Sequence, residues 1–126
     1  ITAERLETLL DRHREKKAAS QSHLATIMVV PMVSPYGLVD LDRRDQVVGF
    51  REKVEMPYWI NAGIYLLDPG IAPELPEIGD HETETFPRLA RAGKIAAFKT
   101  QSFWRSVDSF KDLQDAEEYL NRQDPA

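Results

Sequence analysis

The residues best placed to do chemistry lie between Arg51 and Gly63. Arg51, Glu52, Lys53 and Glu55 crowd a short loop between two apolar, β-branched runs, and Asn61-Ala62-Gly63 opens the second of them. Charges at such a junction suit a polar ligand, and small residues beside them let the backbone approach it closely. The stretch from Gln46 to Asp68 therefore reads as a polar site built on a sheet edge. The other ligand-type residues are less organised. His13, His23 and His81 are scattered without metal-ligand spacing. There is no cysteine, which excludes thiolate metal centres and a disulfide scaffold and points to a reducing cytoplasm.

The elements that must position this site follow from periodicity. Thr2 is expected to cap a helix with Leu6, Leu9, Leu10 and His13 on one face and charges on the other. Leu24 to Val33 is nearly continuous in apolar residues and reads as a strand buried on both faces, which argues for a layered α/β fold. After the turn Ser34 to Gly37, the runs Leu38–Asp42 and Gln46–Phe50 predict a hairpin around Asp42 to Asp45. Ile60 to Leu67 is a further strand, and the prolines and glycines from Pro69 to Gly79 predict an irregular or briefly helical connection. A short helix is expected over Thr85 to Ala92, with Phe86, Leu89 and Ala90 on one face and Gly93 as its stop. Lys94–Lys99 and Phe103–Val107 read as strands. Ser109 caps the last helix with Asp112 three residues on, and Phe110, Leu113, Ala116 and Leu120 are its expected buried stripe.

Composition narrows the class. With 126 residues, 42% of them hydrophobic and 29% charged, the chain is one domain or a piece of one, able to bury a core. Its net charge is −5 and no basic block stands out, so nucleic-acid binding is not expected. The longest apolar stretch is interrupted by Pro31 and falls short of the roughly 18 residues a membrane helix needs. Ile1 is not an initiator methionine, and a fragment of a longer protein is expected.

Several blocks now carry a family likeness. PYGLV at 35–39, VVGFREK at 47–53, INAGIYLLD at 60–68, ETETFPRLARAGKIAAF at 82–98 and FWRSVDSFKDL at 103–113 occur in order over nearly the whole chain. Together they resemble the C-terminal half of the sugar-phosphate nucleotidyltransferase domain, nearest the mannose-1-phosphate guanylyltransferase and glucose-1-phosphate thymidylyltransferase branches. The resemblance implies a doubly wound, Rossmann-like α/β fold of the nucleotide-diphospho-sugar transferase type, with a mixed sheet and flanking helices. It also implies a reaction: a sugar 1-phosphate and a nucleoside triphosphate give a nucleotide sugar and pyrophosphate. In that chemistry the nucleophile is already an anion, so the protein's task is positioning and neutralising converging phosphates.

Carried over residue by residue, the likeness makes Lys53 the catalytic lysine that reaches the sugar phosphate, a point charge suited to that role. Glu52 and Glu82 match carboxylates that accept sugar hydroxyls, and the two-sided amide of Asn61 fits sugar recognition. Tyr36, Gly37, Ala62 and Gly63 match substrate-binding positions where the chain approaches the sugar nucleotide. Asp108 is the implied ligand of Mg2+, a hard cation that wants oxygen.

The chain also departs from the family pattern. The glycine-rich GGxGTRLxP loop and the first metal aspartate are absent, so residues 1–126 read as the sugar-binding half, inactive alone and expected to pair with the missing N-terminal half or to form a homo-oligomer. Glu-Lys-Pro becomes Glu52-Lys53-Val54, and the usual aspartate after the tryptophan is Ser106, with the carboxylate displaced to Asp108 as in the cytidylyltransferase branch. Plainer readings stand beside these. Glu52 and Lys53 could be an exposed ion pair, Asn61 a strand cap, Gly63 a bulge, and Asp108 a favourable charge at a helix start. A non-catalytic sugar-phosphate-binding module and an interaction scaffold with an exposed sheet edge are the alternatives to the enzyme.

Overall fold

The computed structural model describes residues 1–123. In chain order these form helix α1 (Leu6–Ala19), strands β1 (Ala25–Val33), β2 (Leu38–Leu41), β3 (Val47–Arg51) and β4 (Glu55–Leu67), a 3-10 turn (Pro69–Glu74), helix α2 (Thr85–Arg91), strand β5 (Ile95–Lys99) and helix α3 (Phe110–Gln123). The main sheet has the order β4-β1-β5, with β4 antiparallel and β5 parallel to β1. This is the mixed, doubly covered α/β sheet expected, because alternate residues of β1 face different helices. Met28 and Val30 pack with Leu9 of α1, Ala62 and Phe98. Ala25 packs on the opposite side with Leu24, Ile71 and the α2 residues Phe86 and Leu89. The hairpin is also as expected, with β2 and β3 in antiparallel register and the carboxylate of Asp42 accepting from the amides of Arg44 and Gln46 at 2.7 and 3.0 Å.

Five expectations are corrected. Thr2 does not cap α1, whose N-cap is Arg5 without a side-chain bond; its hydroxyl instead donates to the Phe103 carbonyl at 2.7 Å. Residues 103–107 are not a strand, since Thr2 opposite Trp104 is an isolated bridge and the short N-terminal segment offers too little backbone for a ladder. β4 begins at Glu55 rather than Ile60, because the end of β1 runs on beside it, with Val33 opposite Glu55. Finally, α3 does not bury the predicted stripe. Ala116 is buried, but Phe110, Leu113 and Leu120 are exposed. The helix is turned by contacts on a neighbouring face: Arg105 binds Asp112 and Asp115 at 2.7 and 2.8 Å, and Tyr119 stacks on Phe103 at 3.8 Å. On α2, Ala90 is likewise exposed while Phe86 and Leu89 are buried.

Candidate active site

The charged loop is the three-residue link, Glu52 to Val54, between β3 and β4. It sits at the carboxyl end of β1, where the Ser34 amide donates to the Val54 carbonyl at 2.9 Å. Ligands of open α/β sheets bind outside such strand ends. Lys53 adopts φ +48°, the left-handed region that costs a non-glycine residue about 1–2 kcal/mol. It does not pair with Glu52: among the described residues Lys53 has no ion-pair partner. Lys53 lines a cleft of about 580 Å³ with Ser34, Trp104, Ser106, Asp108 and Lys111.

Asp108 and the start of α3 form the far wall of that cleft. Ser109 accepts from the Asp112 amide at 3.1 Å, as a capping box requires, but the Asp112 carboxylate reaches back one residue further than usual, to the Asp108 amide at 3.2 Å. The Arg105 guanidinium, followed by the Asp108 amide and the Ser109 hydroxyl, holds the Asp112 carboxyl below the usual carboxylate range. The Asp108 side chain takes a different partner, the Ser106 hydroxyl. The residue that stands where an aspartate was expected thus supports the displaced one.

A second cluster forms around the middle of β4. Asn61 donates through Nδ2 to the Tyr65 hydroxyl at 2.8 Å and to Glu82 Oε1 at 3.3 Å, and the Tyr65 hydroxyl donates to the same carboxylate oxygen. The Asn61 Oδ1 accepts from the Gly63 amide at 2.8 Å. Gly63 has φ +77° and lies in a register shift opposite β1, so the bulge reading was correct. Burial, and then the bond to Glu82, push the Tyr65 hydroxyl up. His81 and Phe86 pack edge-on against its ring, at 5.7 and 5.2 Å.

The predicted site residues therefore fall into groups. Lys53 and Asp108 share the cleft; Asn61, Gly63 and Glu82 share the β4 cluster. Gly37 and Glu52 touch each other: a Cβ on Gly37 would lie 2.8 Å from Glu52 Oε1. Ala62 is buried and its carbonyl accepts from the Trp104 indole at 3.0 Å, so it shapes the site from beneath. Tyr36 is 77% exposed, and the Ser34 hydroxyl donates to its carbonyl at 2.8 Å and accepts from its amide at 3.2 Å. Among the described residues no hydrogen bond joins Lys53 to Asn61 or Glu82. Ile60 and Asn61 are successive residues of β4 and face opposite sides, the first toward the α1 core and the second toward Glu82. Sequence reasoning missed Tyr65 and Lys111. Tyr65 was legible as the i+4 partner of Asn61 on one face of a strand; Lys111 carried no signal.

Comparison with known proteins agrees with this architecture. The chain belongs to the nucleotidyl transferase family, which it matches over residues 1–123. It is 28% identical over 116 residues to a probable glucose-1-phosphate cytidylyltransferase of Bacillus subtilis, spanning 90% of this chain and 43% of that protein. It is 38% identical over 97 residues to probable mannose-1-phosphate guanylyltransferase 2 of Oryza sativa subsp. japonica, spanning 70% of this chain and 26% of the relative. The chain thus spans less than half the length of these relatives. A solved Bacillus anthracis structure, assigned as a glucose-1-phosphate thymidylyltransferase and holding a sucrose, superposes with a TM-score of 0.53 at 18% identity, over 86% of this chain and 48% of that one. It shares the fold. Among the described residues no helix is long and apolar enough to cross a membrane.

Proposed function

We propose that this chain forms the sugar-phosphate side of an enzyme that makes a nucleotide sugar and pyrophosphate from a sugar 1-phosphate and a nucleoside triphosphate. The observation that carries the reading is the cleft where Lys53 and Lys111, both without an ion-pair partner among the described residues, face the same space as Asp108. Unpaired ammonium groups on one cleft are suited to a phosphate dianion.

In the proposed reaction a phosphate oxygen of the sugar 1-phosphate attacks the α-phosphorus of the triphosphate. The new P–O bond forms as the α–β anhydride bond breaks, and pyrophosphate leaves. No proton need move. Lys53 and Lys111 offset the charge that gathers as the two phosphates approach, which is worth most where water is excluded. Asn61, Tyr65 and Glu82 hold the hexose from the other side of β4, an edge strand, so the substrate lies across that edge. Asp108 fits magnesium in part. One of its carboxylate oxygens takes Ser106, and the other is free to ligate an ion that needs one or two carboxylates besides phosphates and water. Among the described residues no cluster of three or more His, Cys, Asp or Glu makes an all-protein cage. When bound, magnesium would screen phosphate charge. A cytoplasmic setting and pairing with an N-terminal nucleotide-binding half belong to the same reading.

Pyrophosphate release by the full-length protein, with magnesium, glucose or mannose 1-phosphate and each common triphosphate, tests this. Turnover with one triphosphate is expected for the full-length protein and none for residues 1–126. Release from the isolated chain would sink the division of labour. Sugar 1-phosphate binding without turnover by the full-length protein would leave the binding-module alternative, which Val54 and Ser106 favour.

A further inference from the structure

A buried polar group lies between α1 and β1, away from the cleft and the β4 cluster. Thr26 is completely buried, and its hydroxyl oxygen stands 2.8 Å from His13 Nδ1 and 2.8 Å from His23 Nε2. The two rings are 5.1 Å apart, and His23 is 5% exposed. We propose that His13, Thr26 and His23 form a one-proton latch that fastens α1 to the sheet.

The argument is a count of protons and lone pairs. A hydroxyl donates once and accepts twice. With both rings neutral, one accepts the Thr26 proton and the other donates its N–H to Thr26 Oγ1. A first added proton charges the donating ring at its outer nitrogen and leaves both bonds intact. A second puts hydrogens on both facing nitrogens. The Thr26 proton then loses its acceptor inside the core, and two cations sit side by side. An unmade bond and an unpaired charge at a buried position are both costly.

The surrounding charges work the same way. Lys16 and Lys17 of α1 face His23, and Arg14 and Lys17 line the same cleft as His13. Asp68 beyond β4 opposes them, but it is engaged by the Gly70 amide and by Lys17 at 3.3 Å. Burial first, and then the neighbouring His13 and lysines, lower the His23 pKa. The sign follows. A histidine lowered on folding binds its proton more readily when unfolded, so its stabilisation is complete above about pH 6.5 and is lost as the pH falls below that. Because Leu9 of α1 packs on Ala62, release of the latch would loosen the strand next to Asn61.

Thermal melts of the full-length protein between about pH 7.5 and about pH 5, with ring NMR of the histidines, test the latch. Wild type is expected to lose roughly 5 °C more over that range than His23→Gln or His13→Gln, whose amides keep a bond to Thr26 without titrating. Equal acid losses in wild type and both variants would overturn the proposal. If the variants do not fold, wild type decides alone: two imidazolium rings with the α1 amides still protected from exchange would overturn it, and loss of that protection as the second ring charges would support it.

Discussion

The cleft and the β4 cluster are built on opposite principles. In the cluster, Asn61, Tyr65 and Glu82 satisfy one another before any ligand arrives; Asn61 spends its oxygen on Gly63 and its amide on its two neighbours. In the cleft, Lys53 and Lys111 have no ion-pair partner among the described residues, and Lys53 is held in a costly backbone conformation. Each arrangement therefore recognises a different kind of group. A pre-satisfied network offers a fixed set of donors and acceptors and so reads neutral hydroxyls by geometry. Free ammonium groups read charge, and their attraction strengthens as phosphate oxygens converge.

Lys53 should show the largest effect. Lys53→Asn keeps a residue that tolerates the left-handed backbone and removes the charge. Steady-state assays of the full-length protein should then show kcat/KM lower by roughly 10²–10³-fold, with a urea midpoint close to wild type. Activity within a few-fold of wild type would show that the cleft does not hold the transferred phosphate. Glu82→Gln should act on the other side of the contrast. It should weaken sugar 1-phosphate binding by about 10–100-fold, since a bond to a charged group is worth about 1.5–3 kcal/mol, and leave binding of inorganic phosphate unchanged. If calorimetry finds both ligands weakened alike, the two clusters are not separate readers.

Gly63→Ala removes no functional group. Nothing lies within 4 Å of the added methyl, so the cost is the left-handed backbone alone, about 1 kcal/mol in denaturant unfolding. A larger loss would mean that the Asn61 turn itself is being reshaped. The smallest effect belongs to the wall of the cleft. Asp112 is held below the usual carboxylate range chiefly by Arg105, so the pair adds stability above about pH 4 and loses it as the pH falls through the lowered value. Acid titrations of wild type and Arg105→Met should therefore converge as Asp112 protonates; curves that stay parallel would assign the helix start to its capping bonds instead.

Much of this was legible in single residues. The two-face burial of β1 followed from its nearly continuous apolar run, the hairpin from alternation around Asp42, and the end of α2 from Gly93, whose φ is +71°. The site was legible as a set of residue types. Its grouping was not, because Ile60 and Asn61 are neighbours in sequence yet face opposite sides, and Glu82 reaches Asn61 from a loop beyond β4. The stripe on α3 was misread for a related reason: an apolar period says which face could be buried, while the ion pairs of Arg105 and the stack of Phe103 decided which face is.

By itself the sequence determined the α/β class, the family and the identity of the charged loop, since these rest on local periodicity and on ordered blocks of residues. Only the tertiary structure decided that Lys53 stands without Glu52 as partner, that Ser106 supports Asp108, and that two histidines share one threonine hydroxyl. Each of those depends on which groups are left over once backbone and core have been satisfied, and that remainder is a property of the folded chain.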